Sequence, residues 1–334
     1  MKKIKFASII VTYRCNAHCH MCNTWQYPTK TTEEITPEII AKLPAIPSVN
    51  VTGGEPFLRN DLSDILDVLR AKAGRVVIST NGYFTDRIVE TAQRHPWIGV
   101  RVSLEGLPKA NDELRGLHDG FDHGIRTLTE LSHLGLPDIG FGITLSDRNV
   151  RDLMELYHLA KMMGVEFATA AVHNSYYFHK MDNAFEHPEA AIVELEKLID
   201  ELLRSPKPKN WFRAYFNYGL INYIQGKPRL LPCDMGHDSF FLDPLGEVRP
   251  CNVMEESMGN LREKSFDAIW HGPETQRVRQ CVTDCPRNCW MIGSAAEPMK
   301  KHLAEPLKWI FNRKFLRRPA SNEDIPLREV NDAM

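Results

Sequence analysis

Residues 6–172 repeat one unit: a short apolar, β-branched run, a polar or glycine stop, then a segment with helical periodicity. Runs at 6–12, 48–52, 75–80, 99–104, 139–145 and 165–172 alternate with helical patterns at 61–69, 85–94, 121–134 and 150–163. Thr36-Pro37 opens a further helix as N-cap and first helical residue. Consecutive parallel strands need a crossover of helix length, so this alternation predicts an α/β fold around a parallel sheet of six β–α units. The pattern changes after the sixth run. A polar, aromatic loop at 173–187 precedes a long helical segment at 188–203, and Ser205-Pro206-Lys207-Pro208-Lys209 is the best candidate for a boundary. Residues 240–249 read as a β-hairpin turning at Gly246. The expected organisation is a barrel core at 1–204, a linker helix region at 205–229, a cysteine-rich hairpin/helix module at 230–295 and a basic amphipathic tail at 296–334.

The eight cysteines follow the same division. Three sit at 15–22, none in the next 210 residues, and five at 233–289. The basic lead of the chain is followed by a short apolar run and by Tyr13-Arg14-Cys15 in place of a small-residue cleavage site, so no secretory signal is read there. No run is long enough for a membrane-spanning helix. A cytoplasmic chain is therefore expected, and its cysteines are read as metal ligands or reactive thiols rather than bridges. The formal net charge of -2 carries no nucleic-acid bias.

Cys15-x3-Cys19-x2-Cys22 directly follows the first strand. Chemistry in parallel α/β folds gathers at the C-terminal ends of strands. Three thiolates on one tight loop can hold three irons of a cubane and leave the fourth open to a ligand. The competing reading is a zinc site with His18 or His20 as fourth ligand, though both histidines read as solvated loop residues.

With Gly53-Gly54-Glu55-Pro56 after the second strand, Ser79-Thr80-Asn81-Gly82 after the third, Val102-Ser103-Leu104-Glu105-Gly106 after the fourth, and Asn111 to Arg115-Gly116, the chain resembles the radical S-adenosylmethionine (SAM) enzymes over roughly residues 5–290. The resemblance implies a partial (β/α)6 TIM-type barrel. It also implies a [4Fe-4S] cluster held by Cys15, Cys19 and Cys22, SAM on the open iron, and an electron donor such as flavodoxin or ferredoxin. Reductive cleavage of SAM would give a 5′-deoxyadenosyl radical that abstracts hydrogen from an unactivated C–H bond. Implied SAM contacts are Gly53 and Gly54 through close backbone approach, Glu55 through the ammonium, Ser103 through ribose or carboxylate, and Arg115 through the carboxylate. Asn81 and Thr144 sit at strand ends facing the same site. Met21 stands where the family usually has an aromatic residue, and its polarizable side chain can cover an adenine face.

Cys233, the hairpin, Gly246-x4-Cys251 and Cys281-x3-Cys285-x3-Cys289 resemble the SPASM/Twitch auxiliary-cluster modules. Five cysteines suffice for one auxiliary [4Fe-4S] cluster with one thiol over. Cys233 and Cys251 are the firmest ligands, and spacing leaves open which two of Cys281, Cys285 and Cys289 join them.

His173, Asn174, Tyr176, Tyr177 and His179 in the loop after the sixth strand are candidate substrate contacts, with Asp234 and His237 beside Cys233 as further candidates. In the tail, Pro306 starts a helix on which Leu307, Ile310, Phe311 and Phe315 share a face near Lys308, Arg313, Lys314, Arg317 and Arg318, and with Trp309 this helix can lie on an anionic membrane. The reading that follows is an oxidoreductase or epimerase with a sugar, nucleotide-sugar or lipid-linked small molecule as substrate. The alternatives are a ribosomal-peptide maturase, lowered by a first strand that begins within ten residues of the start, and a noncatalytic iron–sulfur or zinc scaffold.

Overall fold

The computed structural model describes residues 3–316. Its strands are β1 (Phe6–Ile10), β2 (Ile46–Thr52), β3 (Ala73–Thr80), β4 (Gly99–Ser103), β5 (Ile139–Leu145), β6 (Glu166–Ala171), β7 (Ser239–Leu242), β8 (Glu247–Arg249) and β9 (Gly259–Asn260). They form one sheet in the order β6-β5-β4-β3-β2-β1-β7-β8-β9. All pairs from β6 to β7 are parallel, and β8 and β9 add antiparallel at the edge. The helices are α1 (Pro37–Ile40), α2 (Leu62–Lys72), α3 (Thr85–Arg94), α4 (Pro108–Arg115), α5 (Gly120–His133), α6 (Leu153–Met163), α7 (Pro188–Arg204), α8 (Pro208–Ile224), α9 (Phe266–His271), α10 (Pro273–Thr283), α11 (Ile292–Lys301) and α12 (Ala304–Phe315). This is the mixed α/β fold with a parallel sheet expected from the alternation, in the partial TIM-type barrel form that the resemblance implies.

The period of two along each strand separates two environments. Ile9, Val49, Val51, Ile78, Val100 and Val102 are buried beneath the crossover helices, which supply Ile65, Leu66, Leu69, Ile88 and Leu128. Their neighbours Ser8, Asn50, Thr52, Ser79 and Arg101 face a cavity instead. The lumen of the barrel therefore carries polar side chains beside Phe6 and Val77, with Ser79 Oγ donating to Asn50 Oδ1 at 2.9 Å.

Three features add to the sequence reading. The hairpin is not a separate sheet: β7 pairs in parallel with β1, Phe6 beside Ser239, so the cysteine module is continuous with the barrel. Most of the region read as a linker helix, 205–229, is taken up by α8 (Pro208–Ile224). Helix α8 packs along α7 and against the edge strand β6, and buries Tyr215, Phe216, Leu220 and Ile221. Gly219 lies against Trp290, where an added Cβ would stand 2.1 Å from the indole, and Trp290 Nε1 donates to the Phe216 carbonyl at 2.9 Å.

The third feature concerns the tail. Trp309 and Ile310 turn inward: Trp309 stacks on Tyr218 with ring centroids 4.9 Å apart, and Ile310 is buried. Arg313 pairs with Glu196, and Lys314 donates to the Leu203 carbonyl. Helix α12 is thus docked on α7 and α8, with Phe315 edge-on to Trp211 at 6.3 Å, while Leu307 and Phe311 are exposed. Arg317 and Arg318 lie outside the described residues.

Candidate active site

The three N-terminal cysteines leave the end of β1 on a loop that two glycines clamp. An added Cβ on Gly54 would lie 2.2 Å from the Arg14 carbonyl oxygen, and one on Gly116 would lie 2.9 Å from that of His18. Gly53-Gly54 therefore admits the incoming cysteine loop, with Gly54 N donating to Thr12 O and Glu55 N to Arg14 O, both at 2.8 Å. On the other flank, His18 N and His20 N donate to the carbonyls of Arg115 and Leu114 at the end of α4. Glu34, buried beneath the loop, accepts from Thr12, Thr29 and the Arg14 guanidinium, which fixes the exit of β1.

Cys15, Cys19 and Cys22 are unbridged and half-buried. Burial pushes the Cys15 thiol up to about 12 and raises Cys19 and Cys22, with the Arg115 cation acting in the opposite sense on all three. Arg115 Nη1 donates to Glu105 Oε1 at 3.1 Å, and Glu105 Oε2 accepts from Thr144 N at 2.6 Å. Arg115 Nε and Asn16 Nδ2 are buried donors with no protein partner. Two unsatisfied donors beside three thiols fit an anionic cluster with a polar ligand, since buried donors are otherwise paired. Among the described residues no three or more His, Cys, Asp or Glu side chains converge on a single-ion site. A cubane instead takes one cysteine sulfur per iron beside its own bridging sulfides, so its thiolates need not converge on one ion.

The other residues singled out for SAM divide by exposure. Glu55 is fully buried, and its carboxylate accepts from Phe57 N, Thr80 Oγ1 and Asn81 N at 2.8–3.1 Å, so it ties the end of β3 to the Gly-Gly turn. Asn81 Nδ2 donates to Asn16 Oδ1 at 2.7 Å. Ser103 and Thr144 remain half-open, and Met21 is buried with its carbonyl bound by Asn183. Asn16 was missed in the sequence, where an asparagine between two cysteines carries no distinguishing signal.

The loop after β6 does not hang free over the barrel mouth. Asn23 N donates to Phe178 O, Asn23 Nδ2 to His179 O and Thr24 Oγ1 to Tyr177 O, at 2.8–3.1 Å. On its other side Ser175 Oγ and Tyr177 N donate to Asn252 O, next to Cys251. The loop is a strap between the two cysteine groups. Tyr177 is buried against Ile10 and Phe241, and its hydroxyl donates to Gly53 O at 2.5 Å. His173 is buried with Nδ1 3.2 Å from Ala171 O, and burial lowers its pKa. Tyr176 lies under the Arg249 guanidinium, His179 packs on Tyr27, and Asn174 accepts from Asn183 N. Of these five, only Tyr177 lines the cavity described next.

That cavity, about 2160 Å³, runs from Ser8, Asn50 and Ser79 in the barrel to Cys233, Cys251, Cys285 and Cys289. Cys251 feels the charges of Cys233 and Cys289, and Cys289 those of Cys285 and Cys233. Cys281 stands apart on α10, its sulfur 4.0 Å from Arg277 Nη1. Nearby, Asp234 accepts from Lys301 Nζ at 2.7 Å, and His237 lines the cavity.

Comparison with known proteins agrees with this division of the chain. Residues 9–160 match the model of the radical SAM superfamily, and residues 233–290 that of SPASM, an iron-sulfur cluster-binding domain. Fe-coproporphyrin III synthase of Methanosarcina barkeri is 34% identical over 158 residues, which span 45% of this chain and only 39% of that protein. Mycofactocin maturase MftC of Mycolicibacterium smegmatis is 26% identical over 278 residues, 80% of this chain and 70% of its own. Among solved structures, Streptococcus suis SuiB bound to precursor peptide SuiA superposes with a TM-score of 0.64 at 16% identity, covering 85% of this chain and 70% of SuiB. A cysteine loop at the end of the first strand, a six-unit barrel and a second cysteine group at 233–289 thus coincide with the two matched families, and the chain belongs to the radical SAM superfamily with a C-terminal SPASM domain.

Proposed function

We propose that this radical SAM enzyme is a peptide maturase, in which Cys15, Cys19 and Cys22 hold the SAM-binding cluster and Cys233, Cys251, Cys285 and Cys289 hold an auxiliary one. Family membership brings a SAM-binding [4Fe-4S] cluster, auxiliary iron–sulfur chemistry and SAM as cofactors. Bound together and reduced, cluster and SAM supply a carbon radical able to take hydrogen from an unactivated C–H bond. This chain's residues position the reacting groups and exclude water. Arg115 offers its unpartnered Nε to an anionic ligand, Ser103 and Thr144 present the open polar faces at the strand ends, and Glu55 braces the turn that holds the loop.

The cavity carries the substrate reading. Its volume of about 2160 Å³ exceeds the roughly 300–1,000 Å³ of ordinary small-ligand pockets and suits an extended chain running from the barrel lumen to Cys233, Cys251, Cys285 and Cys289. MftC, named as a maturase, aligns over 80% of the chain, and SuiB has a precursor peptide bound. These relatives favour a peptide over the sugar or lipid-linked molecule read from the sequence. The deciding experiment is anaerobic incubation of the reconstituted enzyme with SAM, a reductant and candidate precursor peptides encoded beside its gene. A mass change in a peptide, coupled to 5′-deoxyadenosine release, is expected. Release coupled to change in a porphyrin or a glycan, with every peptide unaltered, overturns the peptide reading.

A further inference from the structure

Arg229 brings a half-buried cation to the second cysteine group. It lies on the segment that leads into Cys233 and lines the same cavity as Cys233, Cys251, Cys285 and Cys289. Its guanidinium donates through Nε to Leu231 O at 2.8 Å, through Nη1 to Cys289 O and through Nη2 to Ser294 O. Ser294 Oγ is a further acceptor, 3.3 Å from Nη1. The fork therefore ties the approach to Cys233 to the backbone of Cys289 and to the first turn of α11. One face of the guanidinium is covered too, with its carbon 5.2 Å from the centroid of the Trp290 ring. Trp290 is in turn buried against Gly219 and anchored to the Phe216 carbonyl of α8.

The acceptors in these bonds are uncharged, so they orient the guanidinium without cancelling its charge. Burial lowers the pKa of Arg229, and the charges of Cys233, Cys289, Asp234 and Cys285 act in the opposite sense. Asp234 is itself bound by Lys301 Nζ at 2.7 Å. A guanidinium stays protonated in such surroundings. The result is a fixed positive charge beside the thiols, acting through a medium less polarizable than water. An iron–sulfur cluster gains negative charge when it is reduced, and its potential follows the charge and hydrogen bonds around it.

We propose that Arg229 is a positioning residue that sets the redox poise of the auxiliary cluster: clamped by three backbone carbonyls and the Trp290 ring, its charge raises the reduction potential of the cluster held by Cys233, Cys251, Cys285 and Cys289. It acts through that cluster rather than on the substrate. The inference rests on the ligand set given under the proposed function and is independent of the peptide reading.

The test is an anaerobic redox titration of the full, reconstituted chain followed by electron paramagnetic resonance. A Cys15→Ala/Cys19→Ala/Cys22→Ala background leaves only the auxiliary cluster to report. Arg229→Gln keeps polar contacts and loses the charge. It should retain iron and sulfide and make the cluster about tenfold harder to reduce at a fixed potential, roughly 59 mV for a one-electron couple. Arg229→Lys keeps the charge without the fork and should restore most of that shift. An unchanged midpoint in Arg229→Gln overturns the proposal. A midpoint lowered equally in Arg229→Lys overturns it as well, because loss of the fork is then the cause. Iron loss in Arg229→Gln assigns Arg229 to holding the cysteine segments together and likewise overturns the proposal. If the background protein with Arg229 intact binds no cluster, the ligand set itself fails, and this inference fails with it.

Discussion

The hydroxyl of Tyr177, in the strap after β6, donates a hydrogen bond of 2.5 Å to the backbone carbonyl of Gly53, in the turn after β2. Through Tyr177 the strap that rests on Asn252 of the SPASM domain also holds the Gly-Gly turn and, via Thr24, the cysteine loop. Tyr177→Phe keeps the ring packing against Phe241 and removes only this bond. We expect a stability loss of about 1 kcal/mol in urea unfolding, the usual contribution of one buried hydrogen bond. Weakened SAM binding by equilibrium dialysis, with iron content unchanged, is the second expected outcome.

Gly54→Ala places a Cβ 2.2 Å from the Arg14 carbonyl, against backbone that has nowhere to move. The cysteine loop must then leave its seat. Iron per chain after anaerobic reconstitution should fall by about half, because the SPASM cysteines are untouched, and SAM cleavage should be abolished. Full iron loading in this variant would show that the clamp does not set the loop.

Cys281 stands apart from the cavity that Cys285 and Cys289 line. Cys281→Ala should retain full iron and acid-labile sulfide, whereas Cys285→Ala and Cys289→Ala should each lose the auxiliary share. Iron loss in Cys281→Ala equal to that in the other two would reassign the ligand set.

His95 is buried at the end of α3, and desolvation lowers its pKa against a smaller opposing pull from Asp67. A histidine kept neutral in the fold binds its proton more readily in the unfolded chain. Its contribution to stability is present above the ordinary value near 6.5 and is lost as pH falls through the lowered folded value. Unfolding midpoints should be level at neutral pH and decline below about 6.5, and His95→Phe should flatten part of that decline.

The barrel was legible because its signals are local. Strand runs, helix faces and the strand-end stops each lie within one stretch of chain, and β5 spans Ile139–Leu145 as the apolar run indicated. The two cysteine groups were legible for the same reason. The joining of β7 to β1 was not, because strand pairing across more than 200 residues leaves no mark on either run. Nor was the role of Glu55, whose carboxylate binds Thr80 and Asn81. A carboxylate that braces backbone and one that meets a ligand have the same letter in the sequence.

Local order of apolar, glycine and cysteine residues by itself determined a parallel α/β barrel, a three-thiol loop at the end of its first strand and a second thiol group beyond it. Tertiary structure alone decided that Cys285 and Cys289, rather than Cys281, face the cavity with Cys233 and Cys251. It also decided that the 173–180 strap links the two groups and that Trp309 and Ile310 turn inward while Leu307 and Phe311 turn out. Spacing within a segment sets which side chains share a face, but burial depends on what the rest of the chain brings against that face.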